Sequence, residues 1–184
     1  MTDDTELRSK LQEMSDRADI LDCMHRYARG MDRHDRELLR SAYHDDAIDD
    51  HAGFVGPVEE FIGWAFSYHA SQTRHQHYLM NHTAELDGDE AHAETYYLFI
   101  GTDRAPEKPL TITGGRYIDR LERRSGRWGI VARVCLVEWN TESTSLLKGP
   151  ALEFLARIQT VARDRSDQSY DRPLVIKRAM SAAG

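Results

Sequence analysis

At 184 residues, with 40% hydrophobic and 30% charged side chains, the chain is long enough for one domain with a full hydrophobic core, and no polar or Pro/Gly-rich linker divides it. Its formal net charge of −7, with no basic segment set apart, excludes a nucleic-acid binder built on bulk charge. No apolar run approaches the roughly eighteen residues of a membrane span, and the acidic, polar start Met1-Thr2-Asp3-Asp4 is unlike a signal peptide, so the expected location is cytoplasmic. Cys23 and Cys135 lie in apolar-patterned segments outside any C-x-x-C pair, which points to buried reduced thiols.

The apolar positions Leu7, Leu11, Met14, Ala18, Leu21 and Ala28 form one stripe of a long amphipathic helix ending near Gly30, with Met24, Tyr27 and Met31 along its buried edge. Residues 32 to 35 read as a corner, whose Asp35 is suited to N-cap a second helix through Leu38, Leu39 and Ala42. The stretch from Tyr43 to His51 is too polar for a core strand throughout, although Ala47 and Ile48 can seed a short one. Pro57 suits the first turn of a third helix carrying Val58, Phe61, Ile62, Trp64, Ala65 and Tyr68.

From Thr73 the period becomes alternating. One strand is expected from Thr73 to Leu86, a tight turn at Asp87-Gly88-Asp89, and a second strand from Ala91 to Thr102, with Thr95, Tyr97 and Phe99 opposite Glu94, Tyr96 and Leu98. A third runs from Leu110 to Arg124, Ser125-Gly126 closes the next hairpin, and Trp128 to Trp139 is apolar on both faces, as in a central strand. A helical pattern returns from Pro150 to Arg163. The expected organisation is a domain over residues 1–145 and a C-terminal helical extension and tail over 146–184. Three helices followed by a meander of long strands argue for an α+β domain in which a curved, mostly antiparallel sheet wraps over the helices and encloses a cavity.

Polar residues on core-patterned faces are the candidates for chemistry. Arg133 shares a face with Val131, Cys135 and Val137, so it either pairs structurally with a carboxylate or faces a ligand. His75 and His77 share one face of the first long strand, and His82 lies on the other unless a bulge shifts the register. With nine histidines in the chain, any single one is commonly a bystander. The cluster His44, Asp45, Asp46, Asp49, Asp50 and His51 has ligand-type side chains but neither H-E-x-x-H spacing nor a calcium-loop rhythm; it reads as a solvated acidic loop, with metal binding the lesser alternative. G-x-S-x-G, Walker-type and G-x-G-x-x-G motifs are absent, and Gly114-Gly115 lies mid-strand, where glycines permit curvature or close approach.

The stretches Tyr27-Ala-Arg-Gly-Met-Asp32, His77-Tyr-Leu-Met-Asn81, Asp87-Gly-Asp-Glu-Ala91 and Gly114-Gly-Arg-Tyr-Ile-Asp-Arg-Leu-Glu-Arg123, with Gly126-Arg-Trp128 behind them, resemble the SnoaL-like branch of the nuclear transport factor 2-like (NTF2-like) superfamily. That group includes scytalone dehydratase, lindane dehydrochlorinase and bile acid 7α-dehydratase. The resemblance runs from about Asp19 to Trp139 and implies an NTF2-like cone. It places the catalytic aspartate on Asp32 and the histidine on His77, with His82 the second choice; Tyr27 matches a position that assists the leaving group, and Arg133 an arginine at the pocket. It implies a lyase of dehydratase type that removes water, or a halide, from a hydrophobic alicyclic molecule such as a steroid, terpenoid or polyketide, with no metal or organic cofactor. An isomerase or cyclase using the same base, a non-catalytic ligand-binding protein and the small subunit of a ring-hydroxylating oxygenase remain as alternatives on this scaffold. The resemblance further implies a homo-oligomer, dimer or trimer.

Overall fold

The computed structural model describes residues 2–104, 110–143 and 164–166. Helix α1 spans Thr2–Arg33. It does not stop at Gly30, as the spacing predicts, because that glycine serves a different purpose: a Cβ there would sit 2.5 Å from the backbone nitrogen of Leu39. The missing side chain lets the short helix α2, Arg36–Arg40, close onto α1. The corner is turned at His34, φ +49, and Asp35 caps α2 by accepting from the Leu38 N–H at 3.1 Å, as expected. The face of α1 that is buried is Ile20, Cys23, Met24, Tyr27, Ala28 and Met31. Leu7, Leu11, Met14 and Ala18 are exposed and Leu21 is half-buried, so of the expected stripe only Ala28 is buried. The helix is anchored to the sheet from Asp16 onward, where that carboxylate accepts from Trp128 Nε1 at 2.9 Å and from Arg123 at 2.8 Å.

Strands β1 (Tyr43–Asp50) and β2 (Val55–Pro57) lead into α3, Val58–His69; the long strands β3 (Gln72–Asp87), β4 (Glu90–Asp103), β5 (Leu110–Arg124) and β6 (Arg127–Ser143) follow. The six form one sheet in the order β2-β1-β6-β5-β4-β3, antiparallel except where β1 lies parallel to β6. The four long strands fall where alternation places them. Residues 43 to 50 do not form the expected solvated loop: Tyr43, His44, Ala47 and Asp49 are buried along β1. The acidic content is compatible with a strand because the charges are partnered. Asp46 pairs with Arg124 at 2.7 Å, Asp45 with Arg40, and buried Asp49 accepts from the Tyr43 hydroxyl at 2.7 Å.

The sheet curls into a cone. A bulge interrupts β3 between Leu79 and His82, and the β5–β6 register shifts at Gly114/Gly115, where a Cβ on Gly115 would lie 1.9 Å from the Leu136 carbonyl oxygen. On a flat sheet β1 and β3, four strand spacings apart, would be separated by roughly 19 Å; curling brings residues near their ends to one cavity. Both cysteines are free and buried, and burial pushes the Cys23 thiol up to about 11. No helix among the described residues is long and apolar enough to cross a membrane. The expected helix from Pro150 to Arg163, and most of the extension, lies outside the described residues.

Candidate active site

A cavity of about 250 Å³ opens between α3 and the concave face of the sheet, walled by Trp64, Tyr68, Tyr97, Phe99, Tyr117 and Val137 and reached by His51, His69, His77 and Cys135. His77 projects from β3 because it shares the inward face with His75 and Leu79. Its Nδ1 lies 2.6 Å from Asp32 Oδ1. The same carboxylate also accepts the His77 backbone N–H, at 3.0 and 3.2 Å. Strand β3 is an edge strand, so Asp32 at the end of α1 both satisfies that edge and fixes the imidazole. A carboxylate can only accept, which assigns the proton of a neutral ring to Nδ1 and leaves the Nε2 lone pair free to take a proton. The structure thus brings together Asp32 and His77, from segments 45 residues apart in sequence.

Tyr27 and Arg133, expected at the leaving group, are placed behind the wall; neither lines the cavity. Arg133 is buried and makes a two-point ion pair with Asp119, at 2.7 and 2.9 Å. Its guanidinium stacks over Tyr27 at 4.1 Å and Tyr117 at 4.3 Å. Burial works against the charge, but the Asp119 carboxylate outweighs it and holds Arg133 well above the usual arginine range. The Tyr27 ring packs edge-on to His77 at 6.3 Å, and burial pushes its phenol above the usual range. One ring, Tyr117, separates Arg133 from the cavity. His82 does reach the inner face, because of the β3 bulge, but farther along, against Arg17, Ala18 and Leu21. Its Nδ1 bonds to Thr95 Oγ1 at 2.8 Å, and burial lowers its pKa.

Asp32, His75 and His77 place three ligand-type atoms within 4.8 Å of one another. The donor set is turned inward: His75 Nε2 is 3.1 Å from the Met31 carbonyl, and the short His77–Asp32 contact occupies the atoms a metal would need.

The residues missed in the acidic stretch are Asp49 and His51. Asp49 is fully buried on β1, and His51, just past the strand, points its Nδ1 at Asp49 Oδ1, 3.1 Å away. Burial alone would lower the His51 pKa; the hydrogen bonds of the ring to the Asp49 carboxylate and to Cys135 outweigh it and raise the value to about 9. The available signal was the every-second-residue placement of Ala47, Asp49 and His51, which the density of charge masked.

Helices on the concave face of a curled, open sheet, with a His–Asp pair at its cavity, define an α+β cone of the NTF2-like kind. The chain belongs to the SnoaL-like domain family, whose model matches residues 12–134. No curated protein sequence matches it significantly. Among solved structures it is similar to a hexachlorocyclohexane dehydrochlorinase, LinA-type3, from Novosphingobium barchaimii, at 20% identity and TM-score 0.69 over 77% of this chain and 99% of that one. It is similar also to a scytalone dehydratase candidate from Novosphingobium aromaticivorans, at 18% identity and TM-score 0.59 over 82% and 97% of the two chains. A protein from Kribbella flavida matches at 16% identity and TM-score 0.65 over 70% and 95%. Likeness at these identities is likeness of fold.

Proposed function

We propose that the protein is a lyase of the dehydratase type that eliminates water from a hydrophobic alicyclic molecule, with His77 as base and Asp32 orienting it. The observation that carries this reading is the 2.6 Å His77–Asp32 contact on the wall of an aromatic-lined cavity. Carbon acids are weak, so removing a proton from carbon needs a base fixed in one tautomer and shielded from bulk water; the Asp32 contact supplies the first condition, and the half-buried setting of the pair supports the second. The similar structures named for dehydrochlorination and scytalone dehydration agree with an elimination. Tyr27 and Arg133 serve this site through Tyr117 and the ring of His77, as supports beneath the wall. Self-association into a dimer or trimer is part of the proposal, because Tyr78, Met80, Tyr96, Val134 and Leu136 are exposed on the convex face.

The test is conversion of scytalone, hexachlorocyclohexane and a panel of hydroxylated steroid and terpenoid ketones, followed by mass spectrometry. The expected product of a hydroxylated substrate is lighter by one water, and His77→Gln and Asp32→Asn each lower the rate roughly 10²–10⁴-fold. Wild-type rates in both variants would remove the pair from the chemistry. A product of unchanged mass would make the enzyme an isomerase.

A further inference from the structure

An elimination that expels hydroxide needs an acid as well as a base; of the two further imidazoles at the cavity, His69 bonds to the Gln72 amide at 2.8 Å, and His51 is placed to be the acid. His51 enters from the opposite part of the sheet to His77: it follows β1, whereas His77 lies on β3 at the far edge. Its position is built. The turn that carries it is closed by His51 N–H to the Phe54 carbonyl at 2.7 Å, and it holds Ala52 at φ +54, a conformation that costs a residue with a Cβ about 1 kcal/mol or more. The ring is flanked by Phe61 at 5.0 Å and Tyr117 at 6.1 Å. Behind it Asp49, fully buried, receives the Tyr43 hydroxyl on one oxygen at 2.7 Å and faces His51 Nδ1 with the other at 3.1 Å. With Nδ1 engaged by a carboxylate that has no access to water, the ring favours its doubly protonated form.

We infer that His51, held by Asp49, is the proton donor of this cavity, giving its Nε2 proton to an oxygen of the bound molecule. The inference rests on the elimination reading above and deepens it. His77 Nε2 takes the proton from carbon, the C–H electron pair forms the carbon–carbon double bond, and the C–O bond breaks with its pair on oxygen. That oxygen takes the His51 proton and leaves as water. His77 ends protonated and His51 neutral, and exchange with solvent resets both. The titratable groups facing His51 are Asp49 on β1, Tyr117 on β5 and Cys135 on β6, whose thiol is within hydrogen-bond reach of the ring and is displaced from it by the bound oxygen, while α3 presents the rings of Phe61 and Trp64. A site with its own acid selects hydroxyl leaving groups; chloride, which departs unprotonated, gains little from one. The substrate class is therefore a β-hydroxy carbonyl or a similar alcohol rather than a halide.

The experiment uses the full chain and two readouts. Nitrogen NMR of the imidazoles in wild-type protein should show His51 protonated on both nitrogens at pH 7.5. The second readout is binding of 4-nitrophenol, followed by the colour of its phenolate. The wild type should bind the phenolate in preference to the phenol, and His51→Gln should weaken phenolate binding about tenfold or more. A neutral His51 at pH 7.5 in the wild type overturns the inference, as does a His51→Gln variant that binds phenolate as the wild type does. Turnover dependent on His77 with no phenolate binding by the wild type would also overturn the role of His51 while leaving the base in place. Loss of the base alone is read by turnover in His77→Gln, so the two failures are distinguishable.

Discussion

Two histidines at the cavity each present Nδ1 to a carboxylate, and the settings of the two carboxylates differ. The Asp32 side chain keeps 13% of its exposure and is bonded by a backbone N–H, whereas the Asp49 side chain keeps 0% and is bonded by a phenol. The second arrangement ties stability to pH. The folded-state pKa of His51, about 9, lies above its ordinary value of 6.5, so the stabilisation is fully present below pH 6.5 and is lost as the pH rises through about 9. That interval corresponds to about 3 kcal/mol. Urea denaturation across this range should show the wild type losing up to that much relative to His51→Gln, and parallel profiles would contradict the assignment. Arg133 illustrates the opposite outcome at the same scale. A buried cation beside a pocket suggests catalysis, yet its Nε and Nη2 donate to Asp119 and its faces meet Tyr27 and Tyr117, where it holds the wall.

Among the elements, glycines mark where two backbones meet. Gly30 permits the α1–α2 contact, and the Cβ of an alanine there would meet the backbone of Leu39. Gly63, exposed on α3, has nothing within 4 Å of a Cβ. Gly30→Ala should therefore cost roughly 1–3 kcal/mol by overpacking, and Gly63→Ala should gain about 1 kcal/mol through helix propensity. Equilibrium denaturation of both variants checks the contrast; equal effects would show that α2 moves aside freely. The β3 bulge is another such feature. Without it His82 would face outward, and with it the inner face carries His75, His77 and His82 in one row.

Across the whole molecule, the concave face is filled by helices and the cavity, while the convex face keeps a mixed surface. There Arg116 bridges Glu94 at 2.8 Å and Glu138 at 2.6 Å amid exposed Tyr96, Val134 and Leu136. A homo-oligomer is expected to bury that face, and Leu136→Asp should shift it toward monomer in sizing with light scattering. A wild-type protein that elutes as a clean monomer would refute self-association.

Periodicity alone was enough to place the four long strands, the third helix and the Asp35 cap, because alternation and capping depend on neighbours a few residues apart. The Asp32–His77 pair was legible through its resemblance to family stretches rather than through chemistry, since one histidine among nine carries no mark of its partner. What only the tertiary structure decided is where polar side chains end up once the sheet has curled. Asp49 reads as one more acid in a run of acids until parallel pairing with β6 buries it, and His51 gains its role from that burial. Arg133 reads as a pocket residue until Asp119, on the neighbouring strand, claims it. Burial and charge pairing are long-range properties of the folded chain, and sequence patterns report them only where they repeat.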